Sequence, residues 1–122
     1  MSDLNKWIGV GRLTADPKSQ PVTGSGSMTT FTTAVNERFR KGETHRQSTN
    51  FVPIVTYGQL ADSAAQFLKK GRQVLVEGKL CLEPYEDESQ RKHIRVSVQA
   101  ETMQFLAHPA SAQRAGESKT PE

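Results

Sequence analysis

A chain of 122 residues is the length of one domain, and 34% hydrophobic content with a mean hydropathy of −0.61 predicts a lean core. No apolar run is long enough to span a membrane and the N-terminus has no signal-peptide pattern, so the sequence predicts a cytoplasmic protein. The single cysteine, Cys81, excludes an internal disulfide and a cysteine-cluster zinc site, while a net charge of +3 and a pI near 9.2 suit a polyanionic partner without requiring one.

In chain order, residues Lys6 to Leu13 (KWIGVGRL) alternate as a first strand whose two glycines mark a bend or a close approach by another backbone. DPKSQPVTGSGS, dense in Pro, Gly and Ser, reads as a loop or hairpin turn. Met28 to Val35 (MTTFTTAV) reads as a second strand, and the charged ERFRKGETHRQS, Glu37 to Ser48, as a long connection centred on Gly42. TNFVPIVTYG, Thr49 to Gly58, is the third strand.

The period then changes. In GQLADSAAQFLKKG, Leu60, Ala64, Phe67 and Leu68 fall on one helical face, with Lys69 and Lys70 expected in the last turn and Gly71 after it. QVLVEGKLCLEP alternates Val74, Val76, Gly78, Leu80 and Leu82 against Gln73, Leu75, Glu77, Lys79 and Cys81, the clearest strand of the chain. YEDESQRKH reads as a charged turn, and HIRVSVQAETMQFL as a fifth strand with Ile94, Val96 and Val98 on one face. The expected organisation is a domain over residues 1–106 and a small, polar, disordered tail over 107–122. Three strands, a short helix and two strands predict an all-β, five-stranded OB-fold barrel with its helix between strands three and four.

Enzyme signatures fail on inspection. Gly9 and Gly11 follow strand residues, but no helix opens after them and no dinucleotide fingerprint forms. His45, His93 and His108 have no ligand spacing, and Glu86, Asp87 and Glu88 read as a solvated turn, so no metal, cofactor or catalytic residue is expected. What remains is aromatic and basic residues in alternation. Arg38, Phe39, Arg40 and Lys41 put one ring inside a basic segment, where it serves either as a hydrophobic anchor or as a stacking platform. Phe51 and Tyr57 share one face of the third strand, and Val52 and Ile54 share the other. If Val52 and Ile54 face inward, the aromatics stand outside beside the basic segment, where a barrel of this kind binds a single strand; if not, both rings are core. Pro53 implies an edge, an end or a bulge. Arg12 and Lys79 are expected to be exposed, and Tyr85 follows a strand end.

NKWIGVGRLTADP, TTFTTAVNERFR, TNFVPIVTYGQLAD, FLKKGRQVLVEGKL and TMQFL, in this order over roughly residues 5 to 106, resemble the bacterial single-stranded DNA-binding protein family. The resemblance implies a homotetramer that wraps and protects single-stranded DNA in replication, recombination and repair, associated with the nucleoid. It implies base stacking at Phe39, Phe51, Tyr57 and Tyr85, a basic contact at Lys70, and a dimer-forming first strand over Asn5 to Val10. On this reading Arg12, Arg38, Arg40, Lys41 and Lys79 are expected to supply further phosphate contacts.

The chain departs from the family pattern in four ways. Trp7 stands where a small aliphatic is usual, and either stacks on DNA or packs between subunits. Gln59 and Pro53 replace positions that are often basic. CLEPYEDE is acidic ahead of Tyr85, which predicts fewer ionic contacts there. The last eight residues, AGESKTPE, lack the acidic, hydrophobic peptide that recruits replication and repair partners, which implies a truncated chain or a specialised paralogue. The alternatives to a coating protein are a dimeric primosomal accessory module of the same fold, an RNA-binding barrel, and a nuclease using Glu86, Asp87 and Glu88.

Overall fold

The computed structural model describes residues 2–22 and 26–106; the expected tail lies outside the described residues. Six strands and one helix follow in the order β1 (Trp7–Leu13), β2 (Lys18–Val22), β3 (Gly26–Lys41), β4 (Thr44–Tyr57), α1 (Gly58–Phe67), β5 (Gln73–Glu86) and β6 (Lys92–Phe105). The sheet order is β1-β5-β6-β4-β3-β2, and a further β1–β3 pairing at Arg12↔Ala34 and Leu13↔Thr33 closes five of the strands into a barrel. All pairings are antiparallel except β4 with β6, which meet at Ile54↔Val98 and Val55↔Gln99. The expected five-stranded OB barrel with its helix ahead of the fourth barrel strand is therefore the observed fold.

Burial follows the period-two rule. Phe31 on β3, Ile54 on β4, Val74 and Val76 on β5 and Val98 on β6 meet in one cluster with Leu13, Ala64 and Leu68. The buried threonines, Thr29 and Thr33 on β3 and Thr56 on β4, leave no orphaned hydroxyl. Thr29 donates to the Ala61 carbonyl at 2.8 Å, tying α1 to the barrel, and Thr56 donates to the Thr29 carbonyl at 2.7 Å. The two glycines of β1 do different things. A Cβ on Gly11 would stand 2.7 Å from the Ala34 carbonyl oxygen, so only glycine lets β1 reach β3 and close the ring. Gly9 lies under the Trp7 indole, which packs inward against the core.

Five expectations change. Lys18–Val22 is a strand paired with Gly26–Thr30, because the Pro and Ser residues sit on a sheet edge where a missing donor is tolerated. Glu37 to Ser48 is no loose connection: β3 and β4 stay paired as far as Lys41↔Thr44 around a two-residue Gly42-Glu43 turn, with Gly42 at φ 63°. Both faces of that arm meet water, so it carries no hydrophobic period to read. The helix ends at Phe67 with no basic residue in its last turn; Leu68 adopts φ −93°, ψ 145° and drops into the core, leaving Lys69 and Lys70 beyond the helix. Phe67, expected on the buried face, is exposed and meets Phe105 at 5.9 Å between ring centroids. Finally, Tyr85 lies within β5 rather than past its end, and the apolar face of β5 and β6 runs off the barrel onto a second arm, exposing Leu80, Leu82, Ile94 and Val96.

Candidate nucleic-acid interface

The third predicted strand resolves its own ambiguity. Ile54 is 0% exposed and Val52 packs against the core, while Phe51 is 66% and Tyr57 45% exposed. Phe51, Pro53, Val55 and Tyr57 thus form the outer face of β4, opposite Ala34, Thr32, Thr30 and Met28 of β3. Opposite Phe51 stands only the methyl of Ala34, which leaves that ring standing clear. Pro53 lies just before the β4–β6 pair at Ile54↔Val98, where its missing donor coincides with the parting of the two strands.

The rest of the surface is set by register. Ala34 pairs with Arg12 on one side and with Phe51 on the other, so a cation and a ring share one row across three strands. Gln99 pairs with both Val55 and Lys79, which sets Lys79 in a second such row. Continuing outward along β3, Arg38 and Arg40 keep the side of Phe51, whereas Phe39 (48% exposed) and Lys41 lie on the opposite side of the arm, where Phe39 pairs with Arg46. Lys70 is exposed next to the end of β1, its backbone N–H donating to Asp16 Oδ1 at 2.9 Å.

A groove of about 540 Å³ opens between the barrel portions of β3 and β4 and the base of the β5–β6 arm, lined among others by Lys18, Thr32, Pro53, Val55, Glu83 and Arg95. It connects the aromatic face of β4 to the β5–β6 arm. On that arm Tyr85 stacks on His93 at 5.3 Å, and the Arg95 guanidinium lies over the Tyr85 ring at 4.7 Å. Three of the four acidic residues that the sequence sets against phosphate have a basic side chain as neighbour: Glu83 pairs with Arg95 and Glu86 with Lys92 in the hairpin register, and His93 Nε2 lies 2.8 Å from Asp87 Oδ2. The Asp87 carboxyl is held below the usual carboxylate range, first by that His93 contact and then by the Arg91 backbone N–H.

The structure thus gathers Arg12, Arg38, Arg40, Phe51, Tyr57 and Lys79 on the barrel's outer surface and sets Tyr85 across the groove. It does not bring Trp7 to them, since the indole turns inward. Sequence reasoning missed Lys18, Arg46, His93 and Arg95. Arg95 was marked by its alternation with Ile94 and Val96; Lys18 and Arg46 lie in segments read as loops.

A closed five-stranded barrel with exposed rings and cations on its outer face is an oligonucleotide-binding barrel in class. The chain belongs to the single-strand binding protein family, whose model matches residues 4–106. It is 40% identical over 103 residues to the single-stranded DNA-binding protein of Caldanaerobacter subterraneus subsp. tengcongensis, covering 84% of this chain and 68% of the relative. It is 39% identical over 107 residues to that of Thermotoga maritima (87% of this chain, 76% of the relative). With Bacillus subtilis single-stranded DNA-binding protein A it shares 38% over 103 residues, 84% of this chain but 59% of the relative. In three dimensions it resembles the Plasmodium falciparum SSB complex with ssDNA, with a TM-score of 0.80 at 26% identity over 88% of this chain and 98% of that one.

Proposed function

We propose that the protein binds single-stranded DNA without catalysis, coating and protecting it during replication, recombination and repair. Phe51 and Tyr57 carry this reading: two large rings stand exposed on a strand whose alternate residues are fully buried. Exposed rings that do not serve the core offer π-faces to unpaired bases, each stacked base contributing ~1–3 kcal/mol irrespective of sequence. Tyr85 extends the path onto the β5–β6 arm, and Phe39 offers a further ring on the other side of the β3–β4 arm, reached by a strand that passes around it. Arg12, Arg38, Arg40, Lys41, Lys70 and Lys79 supply phosphate contacts, joined by Lys18 and Arg95 at the groove. Releasing about four to six counterions gives a log–log salt slope of roughly −3 to −4 on a single strand.

Self-association, as a homotetramer, is part of the proposal. From Trp7 to Gly11, β1 pairs with β5 alone, and Ile8 and Val10 are exposed on that strand, a suitable edge for a second copy. The named relatives and the structural neighbour favour this reading over a primosomal module. It supports a place with the DNA in the cytoplasm.

Titrating dye-labelled oligo(dT), a matched oligo(U) and a duplex of equal length tests the proposal. Tight binding to the single DNA strand with weak duplex binding is expected; equal affinity for strand and duplex would refute it. Tighter binding to oligo(U) would shift the assignment to RNA.

A further inference from the structure

The tip of the β5–β6 arm is more closely organised than an exposed turn requires. Tyr85 and His93 are direct partners across the hairpin, with ring planes inclined by only 26°. Behind His93, Asp87 is fixed by its own turn: Oδ1 accepts the backbone N–H groups of Ser89 and Arg91, both at 2.9 Å. Its other oxygen, Oδ2, meets His93 Nε2. The imidazole is thus held between an immobilised carboxylate and a tyrosine ring, with Arg95 over the same ring. These side chains pack in no core cluster, so the fold does not account for the arrangement.

The geometry points to His93 as a positioning residue of the interface: it holds the Tyr85 ring for a nucleobase, and its protonation strengthens binding to a single strand. The inference rests on the single-strand-binding reading above and adds a regulating group to it. An imidazole ordinarily titrates near ~6.5. Once protonated, it becomes a charged donor to Asp87 and a cation against the Tyr85 face, which tightens the clamp. It also adds a positive charge beside the phosphate path. Both effects raise affinity as pH falls. The charged groups around the ring are Asp87, Arg91, Arg95 and Glu83 on the arm's own turn and face, Glu86, Glu88 and Lys92 around its tip and reverse side, and Asp16 and Lys18 from the groove's far wall. Asp87 stays ionised throughout, its carboxyl being held below the ordinary range.

The test uses the full chain and oligo(dT) with a pH-insensitive dye at constant ionic strength, from about pH 8 to about pH 5.5, spanning the imidazole range. His45→Gln and His108→Gln in the background leave His93 as the one imidazole of the three in the chain. Affinity in this background is expected to rise about two- to five-fold on acidification, the size of one exposed charge contact. His93→Phe keeps a stacking ring without a proton; whatever its affinity at the high pH, that affinity is expected to stay flat on acidification. Tyr85→Ala is expected to keep only the direct contribution of the charge and to lose the rest of the gain, which passes through that ring. A full gain in His93→Phe overturns the inference, and a full gain in Tyr85→Ala reduces His93 to a bare charge and overturns its positioning role. A chain that binds no single strand at any pH overturns the parent reading too, which separates the two failures.

Discussion

Arg12 and Phe51 are both cross-strand partners of Ala34, so a guanidinium and a phenyl ring stand in one row across β1, β3 and β4. Two strand spacings put their backbones ~10 Å apart, with only a methyl group between them. On the reading proposed above, a base stacks on the ring with its phosphate at the cation. The row exists because β1 closes the barrel onto β3, which Gly11 permits.

Neighbours on β4 are expected to fail in opposite ways. Phe51→Ala removes a ring that the fold does not use, so oligo(dT) affinity should drop by ~1–3 kcal/mol with the melting temperature unchanged. Ile54→Ala empties a fully buried site and should cost ~2–5 kcal/mol of stability. Parallel titration and thermal melts of the two variants check this; unfolding of Phe51→Ala would show that the ring is core.

The basic arm should act through charge. Arg38 and Arg40 are exposed and share the side of Phe51, so replacing both by alanine removes two phosphate contacts. The magnitude of the salt slope should fall by about 1.4, at roughly 0.7 per contact on a single strand. Affinity isotherms at a series of salt concentrations read that change directly, and an unaltered slope would place the DNA elsewhere.

Gly78 should tolerate no side chain. A Cβ there would lie 2.1 Å from the Gln99 carbonyl oxygen and 2.9 Å from the Ala100 Cα, both backbone atoms beside a register shift between β5 and β6. Gly78→Ala is expected to cost about 2–3 kcal/mol in denaturant unfolding. Gly9→Ala meets only the Trp7 ring, which can swing out, so its cost should be smaller and the emission of this single tryptophan should shift to the red.

Acid should loosen the β5–β6 tip. The Asp87 carboxyl sits below its unfolded value, so its contribution is fully present above about pH 3.9 and is lost as pH falls through the lower folded value. Amide exchange at Ser89 and Arg91, whose N–H groups it accepts, should speed up in that acid window, and in Asp87→Asn at neutral pH.

The barrel was legible because its core faces alternate: Val74, Val76 and Val98 announce buried strands, and the helical period from Leu60 to Leu68 stands out between them. The arms were not, for a physical reason. Arg38 to Gln47 form a paired ribbon with both faces in solvent, and Tyr85, Glu86 and Lys92 extend another beyond the strands read from the sequence, so their composition is that of loops although their hydrogen bonds are those of strands. The same blindness hid Arg46 and Lys18. Which side of Thr49 to Gly58 faces the core was undecided, because both sides are apolar; only the closed barrel, with Ile54 against Val98, turns Phe51 and Tyr57 outward.

The central claim is that unpaired bases stack on exposed rings. It is tested most directly by measuring oligo(dT) affinity at a salt concentration high enough to suppress phosphate contacts, for the natural chain and for Phe51→Ala/Tyr57→Ala. The account predicts residual binding in the natural chain and its loss in a variant that stays folded. Equal affinities for the two proteins across the salt series would contradict it, leaving charge alone to hold the strand.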